Sequence, residues 1–143
     1  MASRRKRPTS RTPAASREAA YRRAFEEHGD AEIWLDWQKL RQRRWTGRAG
    51  PDGEPALWPG MLTLFRPEEL QEENRRINEW TPPAAKDRML FIGGNAAGMV
   101  YGLDREGKVI AFDEIEATDQ DPRLGQVLAD SLDELLAART GTR

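Results

Sequence analysis

Residues 89–104, MLFIGGNAAGMVYGLD, constrain the fold more than any other part of this chain. An apolar run over 89–92 meets a glycine-rich turn, and a second apolar run ends at Leu103 and Asp104. Past the turn residues Asp104, Arg105, Glu106 and Gly107, a third run follows over 109–112, VIAF. Three short apolar runs separated by turn residues predict an antiparallel meander. The turn glycines Gly93, Gly94 and Gly98 are read as positions that permit positive φ. The alternative, a phosphate-cradling loop, lacks both the G-x-G-x-x-G and the Walker pattern, and no helical pattern follows to aim a dipole at an anion.

Segments on both sides supply helices to cover such a sheet. Arg66-Pro67-Glu68-Glu69 opens a helix over 67–80, because proline costs no hydrogen bond at the first helical position and the two glutamates oppose the positive end of the dipole. Leu70, Asn74 and Ile77 share one of its faces, and Thr81-Pro82-Pro83 ends it. Ser131-Leu132-Asp133-Glu134 is a capping box for a last helix over 131–139, whose apolar face is Leu132, Leu135 and Leu136. Residues 61–64 predict a strand, as do residues 126–129. Ser16 is a candidate N-cap for an earlier helix in which Tyr21 and Phe25 share a face, and Gly29 is a natural stop after His28. Residues 32–45 fit two periods: Ile33, Leu35 and Trp37 alternate as in a strand, while Ile33, Trp37, Leu40 and Arg44 fit a helix. Helix or mixed structure is the reading adopted there. Residues 113–125 read as an acidic loop, and residues 47–55 as a loop by composition.

At 143 residues the chain has room for one domain with a sizeable core. Residues 1–16, rich in Arg, Ser, Thr and Pro, bury too little apolar surface to offset their ordering entropy and are expected to be a disordered basic arm. The domain is expected over 17–140. The net charge of −1 conceals an asymmetry: residues 1–48 hold 13 Lys/Arg against 6 Asp/Glu, whereas the remainder holds 10 against 18. No stretch reaches the ~18 apolar residues that a membrane-spanning helix needs, and no apolar segment follows the basic N-terminus as in a secretory signal. Without cysteine there is neither disulfide nor thiolate chemistry, and a cytoplasmic location is expected.

The order of these pieces resembles the SUKH superfamily. The elements of the resemblance are a Pro-Glu-Glu-Leu helix opening, Asn74 within that helix, a strand ending at Ile92-Gly93, and Tyr-Gly-Leu-Asp over 101–104. A hairpin into 109–112 and Ala-Asp-Ser-Leu-Asp-Glu-Leu-Leu over 129–136 complete it. The similarity covers residues 61–138; the Leu-Pro that opens family members is absent here. The founding member is a yeast regulator of cell-wall synthesis, and bacterial members are regarded as immunity proteins that bind polymorphic toxins, often nucleases. The resemblance thus implies a non-enzymatic module that neutralises a cognate, cationic toxin by stoichiometric binding.

Five acidic residues, Asp113, Glu114, Glu116, Asp119 and Asp121, are the candidate partner-binding set. A clustered acidic surface speeds encounter with a cationic partner. As a calcium loop the segment fails, since Arg123 and Leu124 stand where an EF-hand needs a ligand and glycine. Paired carboxylates would also suit a hydrolase, but no spacing selects a pair. With one histidine, His28, and no cysteine, zinc sites and nucleophilic triads have little to be built from, so no cofactor, metal or catalytic residue is expected.

A second reading places nucleic-acid contact in residues 1–48, through Arg4, Arg5, Lys6, Arg7 and Arg11 and through Arg41, Arg43, Arg44 and Arg48 around Trp45. The five tryptophans are expected mostly in the core or at its rim, with one or two exposed as binding anchors. The fold expected is α+β: an antiparallel sheet of four to six strands with helices packed on one face and at its ends.

Overall fold

Short apolar runs alternating with turns leave the backbone one economical solution, a sheet in which each strand pairs with its neighbour in sequence. The computed structural model, which describes residues 14–36, 39–40, 61–95 and 98–139, has that form. Its elements run α1 (Ala14–His28), β1 (Glu32–Trp34), β2 (Met61–Leu64), α2 (Pro67–Asn78), β3 (Leu90–Gly94), β4 (Met99–Leu103), β5 (Val109–Asp113), α3 (Glu114–Ala117), β6 (Gln126–Ala129) and α4 (Leu132–Ala137). Single 3-10 turns lie at Pro83–Ala85 and Pro122–Leu124. All neighbouring strands are antiparallel, in the order β1-β2-β3-β4-β5-β6, and the fold is α+β as expected. Among the described residues, no helix is long and apolar enough to cross a membrane.

Two apolar clusters sit on opposite faces of this sheet, because side chains alternate along each strand. Ile92, Tyr101, Ala111 and Leu128 point to the larger one, which Tyr21 and Phe25 of α1 and Leu132, Leu135 and Leu136 of α4 cover. Phe91, Ile110 and Phe112 point to the smaller one, joined by Met89 and Ala117, with Ile77 of α2 packed against it. There Phe91 and Phe112 meet edge to face at 6.2 Å, a favoured arrangement of ring quadrupoles.

Side chains complete the sheet where strands stop. β2 pairs with β3 only at Thr63–Gly94 and Leu64–Gly93. Beyond that point Asn74 of α2 acts as a substitute strand: its amide donates to Phe91 O (2.9 Å) and accepts from Phe91 N–H (2.8 Å). Tyr21 of α1 donates to the Phe65 and Ile92 carbonyls, and burial holds its phenol well above the usual range. Gly93 is required by close approach rather than by positive φ, since a Cβ there would lie 2.3 Å from Thr63 O. Of the turn glycines, only Gly98 has positive φ, +88°, which corrects the expectation for Gly93 and Gly94.

Three further boundaries differ from expectation. Helix α1 begins at Ala14, so Ser16 lies inside it, and the expected disordered arm overlaps the helix by three residues. Residues 1–13 lie outside the described residues. Of the helical or mixed reading of 32–45, the start is strand, over 32–34, rather than helix: Ile33 and Leu35 are buried while Glu32 and Trp34 are exposed, so the period of two prevails there. Trp37 and residues 41–60 lie outside the described residues. Finally, 113–125 is not simply a loop but holds α3 and a 3-10 turn.

Candidate functional site

Asp113, the last residue of β5, turns the chain into α3. Its carboxylate accepts from Ile115 N–H at 2.9 Å, the N-cap arrangement that satisfies an otherwise orphan helical donor. The backbone N–H of Glu114 donates to Gly98 O at 2.9 Å, which pins α3 to the β3–β4 turn. Past α3, Gln120 is fully buried at φ +50°. Its amide accepts from Met89 N–H (2.8 Å) and donates to Asn78 Oδ1 (2.5 Å) and Thr81 Oγ1 (3.1 Å). This polar knot ties the end of α3 to the end of α2, on the side of the sheet that carries the smaller apolar cluster.

Between the two helices lies a groove of about 570 Å³. From the sheet it is lined by Gly93, Gly94 and Val100, from α2 by Glu69, Glu73, Arg76 and Ile77, and from α3 by Glu114 and Ala117. Trp80, just past α2, stands on its margin with 77% of its surface exposed. Ile115 on α3 is 79% exposed. Trp80 and Ile115 are the most exposed of the large apolar side chains among the described residues. Three carboxylates and one guanidinium line the groove, and the guanidinium, Arg76, lies 3.4 Å from Glu73, so the lining is acidic.

The five acidic residues expected at the site fall on one continuous segment, yet they do different things. Glu114 faces the groove, and Glu116 and Asp119 are exposed. Asp113 is a cap. Asp121 accepts from the side chain of Arg123 and from its backbone N–H, which hold its carboxyl down at about 2. Its charge is therefore balanced within the chain. Among the described residues, no group of three or more such side chains is gathered as a metal ion would require. Both described tryptophans, Trp34 and Trp80, are exposed and neither is in the core; Trp37, Trp45 and Trp58 lie outside the described residues.

Sequence reasoning missed Glu69, Glu73 and Ile115 as parts of the site. Glu69 is read from sequence only as a helix-opening charge and Glu73 is not singled out, since nothing in the sequence places α2 beside α3. It also missed Arg17, which is only 3% exposed and lines a second cavity of about 440 Å³ with Asn74 and Asn78. Arg17 donates to the carbonyls of Leu103 (2.8 Å), Arg88 (3.0 Å) and Asp87 (3.1 Å). Burial and nearby Arg105 lower its pKa, while Asp104 and Asp87 oppose the shift. The basic residues of 1–13 and 41–48, on which nucleic-acid contact was expected to depend, lie outside the described residues. No family model, no curated protein and no solved structure matches this chain.

Proposed function

We propose that the chain is a non-enzymatic binding protein that neutralises a cationic protein, a nuclease-type toxin, by stoichiometric occlusion in the cytoplasm. The proposal extends the resemblance to SUKH immunity proteins. The observation that carries it is the exposed Ile115, set between Glu114 and Glu116 on α3. An apolar anchor ringed by unneutralised carboxylates suits a partner that presents a basic surface with an apolar centre. Glu114, Glu116 and Asp119 would steer encounter, Ile115 would hold the complex, and Asp113 and Asp121 would keep the segment in shape rather than touch the partner.

The test is capture of the partner from host lysate by the tagged chain, followed by titration with the purified partner. A single basic protein, bound one to one and inhibited in its own activity, is the expected result. Reversing Glu114, Glu116 and Asp119 to lysine should slow association by about tenfold or more at low salt. An association rate and affinity indifferent to those charges would remove the electrostatic mechanism. A partner left fully active in the complex would remove the neutralising role.

A further inference from the structure

We infer that the groove between α2 and α3 is the seat of a short basic segment of a protein partner, which inserts one apolar side chain between flanking lysines or arginines. This rests on the proposed binding role and assigns it a receptor. The apolar part of the groove is preformed: Val100 and Ile77 pack against the cluster of Phe91, Ile110 and Phe112, so they cannot collapse to close it. Its volume, about 570 Å³, lies within the range of small-ligand sites and leaves room for a side chain together with the backbone that carries it. The lining charge selects the flanks. Glu69 and Glu73 stand on one wall and Glu114 on the other, while Arg76, the cation of the lining, is paired with Glu73. Trp80 on the margin offers an indole face to a passing cation. Glu73 is paired with Arg76 and Glu69 accepts from Arg66 N–H at 3.0 Å, so the lining keeps a net negative charge, with Glu114 unpaired among the described residues. An acidic segment would set like charge against it and a wholly apolar one would leave Glu114 without a counter-charge, which makes a basic, singly apolar segment the occupant that the groove fits.

The experiment uses the full chain, labelled with nitrogen-15, and three synthetic nonapeptides. One has a central leucine between paired lysines, the second replaces the leucine with serine, and the third replaces the lysines with glutamate. Saturable shifts of the Trp80 indole and of the Gly94, Val100 and Thr118 amides are expected with the first peptide. The serine peptide should bind about tenfold more weakly or worse, because it forfeits a buried leucine side chain. The glutamate peptide should not bind. Val100→Phe, which fills the groove, and the pair Glu73→Lys with Glu114→Lys, which inverts its charge, should each abolish the shifts while the rest of the spectrum stays dispersed. Equal binding of all three peptides, shifts centred elsewhere, or no saturation with the leucine peptide would overturn the inference. A captured partner that binds the Val100→Phe variant as tightly as the original would leave the proposed function standing and remove the groove. Peptide binding without any capturable partner would do the reverse.

Discussion

The two faces of the sheet are built by the same alternation of side chains, yet they are finished differently. One is covered by α1 and α4 and contains the larger share of the buried side chains, from Tyr21 to Leu136. The other carries a smaller cluster around Phe91 and Phe112, is bordered by the single turn of α3 and by α2, and keeps an open groove. A covered face supplies stability, whereas a face held open on a rigid floor supplies a place to bind. The division predicts that stability and binding can be perturbed separately.

The largest effect should come from the covered face. Leu135→Ala removes a fully buried side chain and should lower unfolding free energy by about 2–5 kcal/mol, measured by urea denaturation. Peptide affinity at the groove, measured on the folded fraction, should not change. Next comes the knot that joins α2 to α3. Gln120→Ala would leave the buried Met89 N–H without its acceptor and should cost about 1–3 kcal/mol. It should also weaken groove binding, because α3 loses its tie; a loss of stability without weakened binding would separate the knot from the site.

Alkaline pH should act on the covered face through its two buried tyrosines. Burial holds the phenols of Tyr21 and Tyr101 above their ordinary range, so between the ordinary phenol pKa near ~10 and the folded value the unfolded chain carries fewer protons. Stability from these groups is complete below pH ~10 and falls as pH rises beyond it, with a slope of up to about 1.4 kcal/mol per unit for each tyrosine. Tyr101→Phe should make that decline shallower. The smallest effect on stability belongs to the open face: Trp80→Ser should shift unfolding by no more than about 0.5 kcal/mol, since the ring is mostly in water, yet it should weaken the leucine peptide. A stability loss as large as that of Leu135→Ala would show Trp80 to be packing rather than rim.

Many of the elements, though not the division between the two faces, were legible in the sequence where physics is local. Alternating apolar runs marked β3, β4 and β5, Pro67 with Glu68 and Glu69 marked α2, and Ser131 with Glu134 marked α4; Ser131 Oγ does accept from Glu134 N–H at 3.1 Å. The reciprocal half of that box is displaced by one residue, since the Glu134 carboxylate takes the N–H of Asp130. β1 was obscured because Ile33 and Trp37 satisfy both periods over so short a stretch. The acidic segment was visible as composition, but its partition was not: whether a carboxylate caps a helix, pairs with Arg123 or faces a groove depends on backbone geometry. The opposite wall, Glu69 and Glu73, sits more than 40 positions upstream of Glu114 and meets it only through the tertiary fold.

Arg17 carries an expected order of assembly. The hairpins of the meander close between neighbours in sequence, but Arg17 reaches Leu103 O across 86 positions, and burying its charge is compensated only once those carbonyls are in place. A contact that closes so large a loop returns nothing until the loop's entropy has been spent. Loop-closure entropy thus predicts that the strands assemble before the first turn of α1 locks, with α1 a latch on a finished sheet rather than its nucleus. Stopped-flow kinetics would reveal it: Arg17→Met should speed unfolding and leave the refolding rate nearly unchanged. Slower refolding would place α1 among the first elements to form.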